Sequence, residues 1–122
     1  MSTPSNLVLF RFPGYAPELS HGVAAVTQDG RLVITDAASN PGTSVRNAID
    51  TAVPMALRTV GRDEHDTRVY LWTPHDPLEP DALWEVHLGN QTEWRHVDWQ
   101  RDKQLNGAVH ALKRALGFEP LG

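Results

Sequence analysis

The fold turns on residues 21–35, HGVAAVTQDGRLVIT, in which two β-rich runs, His21 to Thr27 and Arg31 to Thr35, flank Gln28-Asp29-Gly30. A short loop containing Asp-Gly between such runs is a hairpin signal. Upstream, Leu7-Val8-Leu9-Phe10-Arg11-Phe12 is almost entirely apolar. Such a run reads as a strand buried on both faces, hence central in a sheet, and Pro13-Gly14 ends it. Downstream, Asn40-Pro41-Gly42 forms a turn cluster, with Thr43 or Ser44 as helix N-cap. Val45, Ala48, Ile49, Ala52, Val53, Ala56, Leu57 and Val60 then recur at helical spacing until Gly61. Pro54 inside this stretch predicts a kink near Ala52–Val53, because an interior proline costs about 3 kcal/mol.

The second half alternates again. Arg68-Val69-Tyr70-Leu71-Trp72-Thr73 reads as a strand, and the prolines between Pro74 and Pro80 exclude regular structure. Asp81 to Leu88 is ambiguous. Ala82, Trp84, Val86 and Leu88 alternate as in a strand, but Pro80-Asp81 and Gly89 stand where a helix starts and stops, and a short helix is expected. Thr92 to Val97 reads as an edge or one-sided strand. Asp102 caps a last helix whose buried stripe is Leu105, Ala108, Val109, Leu112, Ala115 and Leu116, closed by Gly117.

At 122 residues, 40% hydrophobic and 21% charged, the chain has the make-up of one globular domain. Residues 1–5 are expected to be disordered, 6–118 to form the domain and 119–122 to be a tail. Without cysteine there is no disulfide, thiolate metal site or thiol nucleophile. No run approaches a membrane span, and Leu7 to Phe10 is too short for a signal peptide, so a cytoplasmic location and no membrane partner are expected. A net charge of −4 gives nucleic-acid binding no bulk electrostatic help.

The order βββαβαβα resembles the ribonuclease H fold. Gly22-Val23-Ala24-Ala25-Val26 with the Asp29-Gly30 hairpin is similar to the second and third strands of bacterial-type ribonuclease H. Ser44 to Ile49, running on to Leu57, is similar to its first helix. Glu93-Trp94-Arg95-His96-Val97, with Asn106 and Ala111-Leu112, is similar to its last strand and helix. The resemblance implies an α+β domain with a mixed five-stranded sheet. It also implies a two-metal site that cleaves the RNA strand of RNA–DNA hybrids, built on four carboxylates. Those four places fall near Phe12, Arg46, Pro74 and His110, none of them an acid. Two divalent ions about 3.5–4 Å apart need several carboxylates around them, and Arg46 would put a fixed positive charge in their place. The implied domain is therefore catalytically inactive, with no cofactor or metal, and serves as a nucleic-acid-binding or accessory module. The alternatives are a homodimeric interaction module using a sheet edge or apolar patch, and a nuclease with a displaced site built on Asp50, Asp76 and His110.

The residues singled out for nucleic acid are Arg11, Thr43, Ser44, Arg46, Asn47, Trp99 and His110. Thr43, Ser44, Arg46 and Asn47 cluster at a helix N-terminus, which suits a phosphate, with Arg11 on the first strand as a neighbour. Arg46 pairing with Asp50 one turn away is the structural alternative. Trp72, Trp84, Trp94 and Trp99 are available for base stacking or for packing. Trp99 is the favoured stacker because Asp98-Trp99-Gln100-Arg101-Asp102-Lys103 is a polar segment. No two histidines have H-x-x-x-H spacing, and no G-x-S-x-G elbow or Walker loop occurs.

Overall fold

The computed structural model describes residues 6–11, 21–35, 52–63, 65–74, 78–87 and 93–118, with only the backbone of Arg11 and His21. It is an α+β fold. Six strands form one mixed sheet in sequential order: β1 Asn6–Arg11, β2 His21–Val26, β3 Leu32–Thr35, β4 Val69–Thr73, β5 Ala82–His87 and β6 Glu93–Val97. Every neighbouring pair is antiparallel except β3 with β4, which run parallel with Leu32 opposite Val69 and Ile34 opposite Leu71. A parallel pair needs a crossover. The connection from β3 to β4 carries helix α1, Val53–Thr59. A 3-10 turn, Trp99–Arg101, leads into α2, Lys103–Ala115.

The helices cover opposite faces. Period-2 alternation sends Ala24, Leu32, Ile34, Val69, Leu71 and Val86 toward α1, where they pack with Val53, Ala56 and Leu57. It sends Ala25, Val33, Tyr70, Trp72 and Leu83 toward α2, where they meet Leu105, Val109 and Leu112. Pro54 lies in the first turn of α1, where its missing N–H breaks no hydrogen bond, and Ala52 before it already has helical angles. The earlier turns expected from Val45 onward lie outside the described residues. Both helices stop at glycines, as their sequence predicts. Gly61 and Gly117 have positive φ, and Arg62 N–H and Phe118 N–H reach back to the carbonyls of Leu57 and Lys113 at 2.9 and 2.7 Å.

Three expectations are corrected. β1 is not central but at one rim, with Leu7 46% and Leu9 68% exposed. An apolar run does not tell a buried strand from an edge strand that leaves one face bare. Asp81 to Leu88 is no helix: Ala82–His87 is strand β5, paired along its whole length with β4 and β6. The sheet therefore has six strands, and the five-strand arrangement implied by the ribonuclease H resemblance is not observed. The edge position expected for Thr92 to Val97 holds, since β6 closes the other rim. Among the described residues no helix is long and apolar enough to cross a membrane.

An ionic clamp ties the hairpin to α2. The Arg31 guanidinium donates to both carboxylate oxygens of Asp102 at 2.7 and 3.1 Å, and pairs with Asp29 at 2.6 Å. Asp102 also caps α2, accepting from Gln104 N–H and Leu105 N–H at 3.0 and 3.1 Å. The Arg31 side-chain bonds hold the carboxyls of Asp29 and Asp102 below the usual carboxylate range, against a partial opposing cost of burial.

Two outcomes follow. A lowered folded-state value means the clamp's stabilisation is complete above the ordinary Asp value of about 3.9 and is lost as pH falls through the lowered values. Melting temperature followed from about pH 6 to about pH 2 is expected to fall less steeply below pH 4 in Asp102→Asn than in the parent. Gly22 is the second case: a Cβ there would sit 2.3 Å from Cζ of Phe10, a ring only 3% exposed. Gly22→Ala is expected to cost about 1–3 kcal/mol in urea unfolding, the usual price of overpacking.

Candidate functional site

Of the positions singled out from sequence, only Arg11, Trp99 and His110 lie among the described residues. Arg11 lies at the end of β1, which two strands separate from β4, roughly 14 Å at ordinary strand spacing. Thr43, Ser44, Arg46 and Asn47 lie outside the described residues, as do Phe12, Asp50 and Asp76. Trp99 and His110 do meet, edge to face at 5.6 Å between ring centroids. Trp99, however, is a core residue. It is 5% exposed, and its Nε1 donates to the Asp81 carbonyl at 3.0 Å. A polar flanking sequence did not keep the indole out of the core, because α2 and the sheet close over it.

The place expected for a metal, at the C-terminal end of β4 beside Pro74, is filled by a different device. Asp81 has φ of 64°, the one positive value on a non-glycine among the described residues. Its carboxylate accepts from Trp72 Nε1 at 2.7 Å and from Lys113 Nζ at 2.9 Å. Lys113 also lies over the Trp72 and Trp99 rings, at 5.9 and 5.2 Å from their centroids. Among the described residues no group of three metal-ligating side chains is present. Asp81 is paired with a lysine and Pro74 offers no ligand, so the described part of this place holds one engaged carboxylate, which does not fit a pair of divalent ions.

The accessible chemistry is at the β6 rim. On the α1 face Val86 of β5 is still core, at 5% exposure, and among the described residues the exposed aromatic side chains of that face belong to β6. There Trp84 packs edge to face with Trp94 at 6.5 Å and with His96 at 5.3 Å. Trp84 is anchored, donating Nε1–H to Thr73 Oγ1 at 3.0 Å. Trp94 is 37% exposed, and His96 stands 3.6 Å from Glu79.

Trp94 lies opposite Val86, which lies opposite Val69. That row leads into a cleft of about 600 Å3 lined by His65, Thr67, Arg68, Glu85, His87 and Arg95, among others. Arg68 and Arg95 are exposed, and neither forms an ion pair among the described residues. Glu85 is engaged, accepting from Tyr70 Oη at 3.3 Å and pairing with His87 at 2.7 Å. Thr67, 8% exposed, has a buried hydroxyl oxygen without a hydrogen-bond partner.

Comparison with protein-family models, with curated proteins and with solved structures finds no match. Sequence reasoning counted Trp94 among four tryptophans available for stacking but favoured Trp99. The signal available was alternation: Trp94 and His96 share one face of a strand that reads as an edge, and that face cannot all be core.

The Asp81 latch is testable without a ligand. Asp81→Gly keeps the left-handed backbone but orphans the Trp72 N–H, and is expected to cost about 1–3 kcal/mol in chemical unfolding. Asp81→Ala adds the strain of a side chain at positive φ, and is expected to unfold at lower denaturant than Asp81→Gly.

Proposed function

We propose that this chain is a non-catalytic nucleic-acid-binding module that takes unpaired nucleotides on the face of β6 that carries Trp94 and His96. The observation that carries the reading is the Trp94–Trp84–His96 cluster, half open to solvent beside a cleft with two uncommitted guanidinium groups. Bases stack on aromatic side chains presented by a sheet only when they are unpaired. Trp94 supplies that surface, while Trp84 and its hydrogen bond to Thr73 hold the indole in place. Arg95 alternates with Trp94 and so lies on the other face of β6, lining with Arg68 the cleft at the end of the sheet, and a strand stacked on Trp94 reaches the two guanidinium groups by passing around that end, where arginine's planar fork suits two phosphate oxygens. The unsatisfied Thr67 hydroxyl under the cleft favours a polar occupant.

Two phosphate contacts on an acidic protein make a weak binder whose affinity rests on stacking more than on charge. Asp66 and Glu85 line the same cleft and repel further phosphates. The inactive ribonuclease H-like part of the reading rests on element order and three short stretches of sequence, and the rim position of β1 counts against it. Single strands, rather than hybrid or duplex, are the expected ligand, because a paired base offers no face to Trp94.

The test is fluorescence anisotropy with a labelled oligonucleotide at low salt. Single-stranded RNA or DNA is expected to bind more tightly than the corresponding duplex or RNA–DNA hybrid. With two phosphate contacts, log K should fall against log salt with a slope of about −1.4, and of about −0.7 in Arg68→Ala or Arg95→Ala. Trp94→Ala should weaken binding by roughly 5- to 150-fold, the worth of about 1–3 kcal/mol of stacking. No binding at low salt, or unchanged binding by Trp94→Ala, overturns the proposal.

A further inference from the structure

Among the described residues the sheet ends in two rim strands of opposite character, with no further strand paired beyond either. β6 carries Glu93, Arg95 and His96 along an exposed strand, and charges of this kind keep an edge from pairing with another chain. β1 carries no charged residue from Asn6 to Phe10, and its two leucines are the exposed apolar side chains of that rim, Leu9 at 68% and Leu7 at 46%. An uncharged, apolar edge strand is what edge protection normally removes.

We infer that β1 pairs with β1 of a second copy of this chain, antiparallel and two-fold symmetric, to continue the sheet across a dimer. The occupant follows from the chemistry of the rim. Residues of one parity share a face: Phe10 packs into the core on the α1 side, so Leu7 and Leu9 lie on the α2 side. A two-fold axis perpendicular to the sheet preserves faces and requires residues of equal parity to stand opposite each other. Centred on Val8, it sets Leu7 opposite the partner's Leu9, Val8 opposite the partner's Val8, and Leu9 opposite the partner's Leu7. Both exposed leucines are then covered twice over by apolar neighbours, and no like charges face each other. Centring on Leu9 would keep Leu9 opposite the partner's Leu9 but set each Leu7 opposite an Arg11. Pairing β1 with β6 of another copy would set the apolar strand against Glu93 and Arg95, and would generate an open filament.

The chain has no cysteine, so an introduced one reports geometry directly. Directly opposed antiparallel residues are about 4.5–5.5 Å apart at Cα, within disulfide range. Diagonal neighbours are about 7–8 Å apart. Val8→Cys is expected to cross-link to a covalent dimer under mild oxidation, and Leu9→Cys to cross-link far less. Sedimentation of the parent should show a weight-average mass rising with concentration toward twice the monomer and no further. Leu9→Lys, at a solvent-facing position, should sediment as a monomer with the parent's circular dichroism spectrum. A parent that stays monomeric overturns the inference. So does equal cross-linking of the two cysteine variants, or growth past the dimer.

Discussion

Two buried indoles and a lysine meet at Asp81, and the closed face of the molecule depends on that meeting. Trp72, on β4, is 1% exposed, and Trp99 is 5% exposed. Each carries an N–H that must find an acceptor once water is gone. Asp81 supplies one acceptor from its carboxylate and one from its carbonyl, and its remaining carboxylate oxygen binds Lys113 from the last turns of α2. The arrangement requires the chain to turn sharply just before β5, and Asp81 takes a left-handed conformation to do it. Asp is one of the few residues that enter that region at modest cost. At the other end of α2, Arg31 and Asp102 act the same way, joining the hairpin to the helix cap. α2 is thus pinned to the sheet at both ends by charge-assisted hydrogen bonds, and between them by a continuous apolar stripe.

The opposite face is built unequally. α1 has seven residues, buries Val53, Ala56 and Leu57, and has no side chain capping its start. Among the described residues, the aromatic side chains of β5 and β6 on that face lie partly in water. Trp84 recovers its polar cost through Thr73, whereas the ring of Trp94 remains more than one-third exposed. A chain of contacts links the closed side to this open rim. Arg31 lies 5.8 Å from the centroid of Tyr70, Tyr70 donates to Glu85, and Glu85 holds His87 at the cleft. The cleft is thus joined through Tyr70 to Arg31, one of the residues that fix α2.

Much of this was legible in the sequence, and the exceptions share a cause. Local signals gave the Asp29-Gly30 hairpin, the Asp102 cap and the Gly61 and Gly117 stops, because each is decided by the conformational freedom or hydrogen bonding of a few adjacent residues. Pro80-Asp81 misled because a proline and an aspartate start a helix and also build a turn. What chose the turn were Trp72, Trp99 and Lys113, distant in sequence. The apolar run in β1 misled for a related reason, since burial on both faces depends on how many neighbours a strand has. Of the candidate site, Trp99 was chosen for its polar flanks and His110 for its place in the resemblance, and neither cue reports burial: Trp99 is core because α2 and the sheet close over it. The exposed aromatic residue of β6 shows in the sequence only through the alternation of a rim strand.

The two rims bear on each other through the shape of the sheet. In a dimer joined at β1, eleven interstrand steps separate one β6 from the other, roughly 50 Å at about 4.8 Å each. The two-fold axis keeps the faces matched at the junction, so both aromatic platforms begin on the same side. Strand twist of about 20° per step accumulates to more than half a turn over that distance. The platforms then point away from each other, and a single strand bound to one must wind around the sheet to reach the second. Joining two sites raises avidity only when one ligand can span both. The proposed pairing therefore protects an apolar edge without coupling the proposed binding faces, and each face acts as it would in the isolated chain.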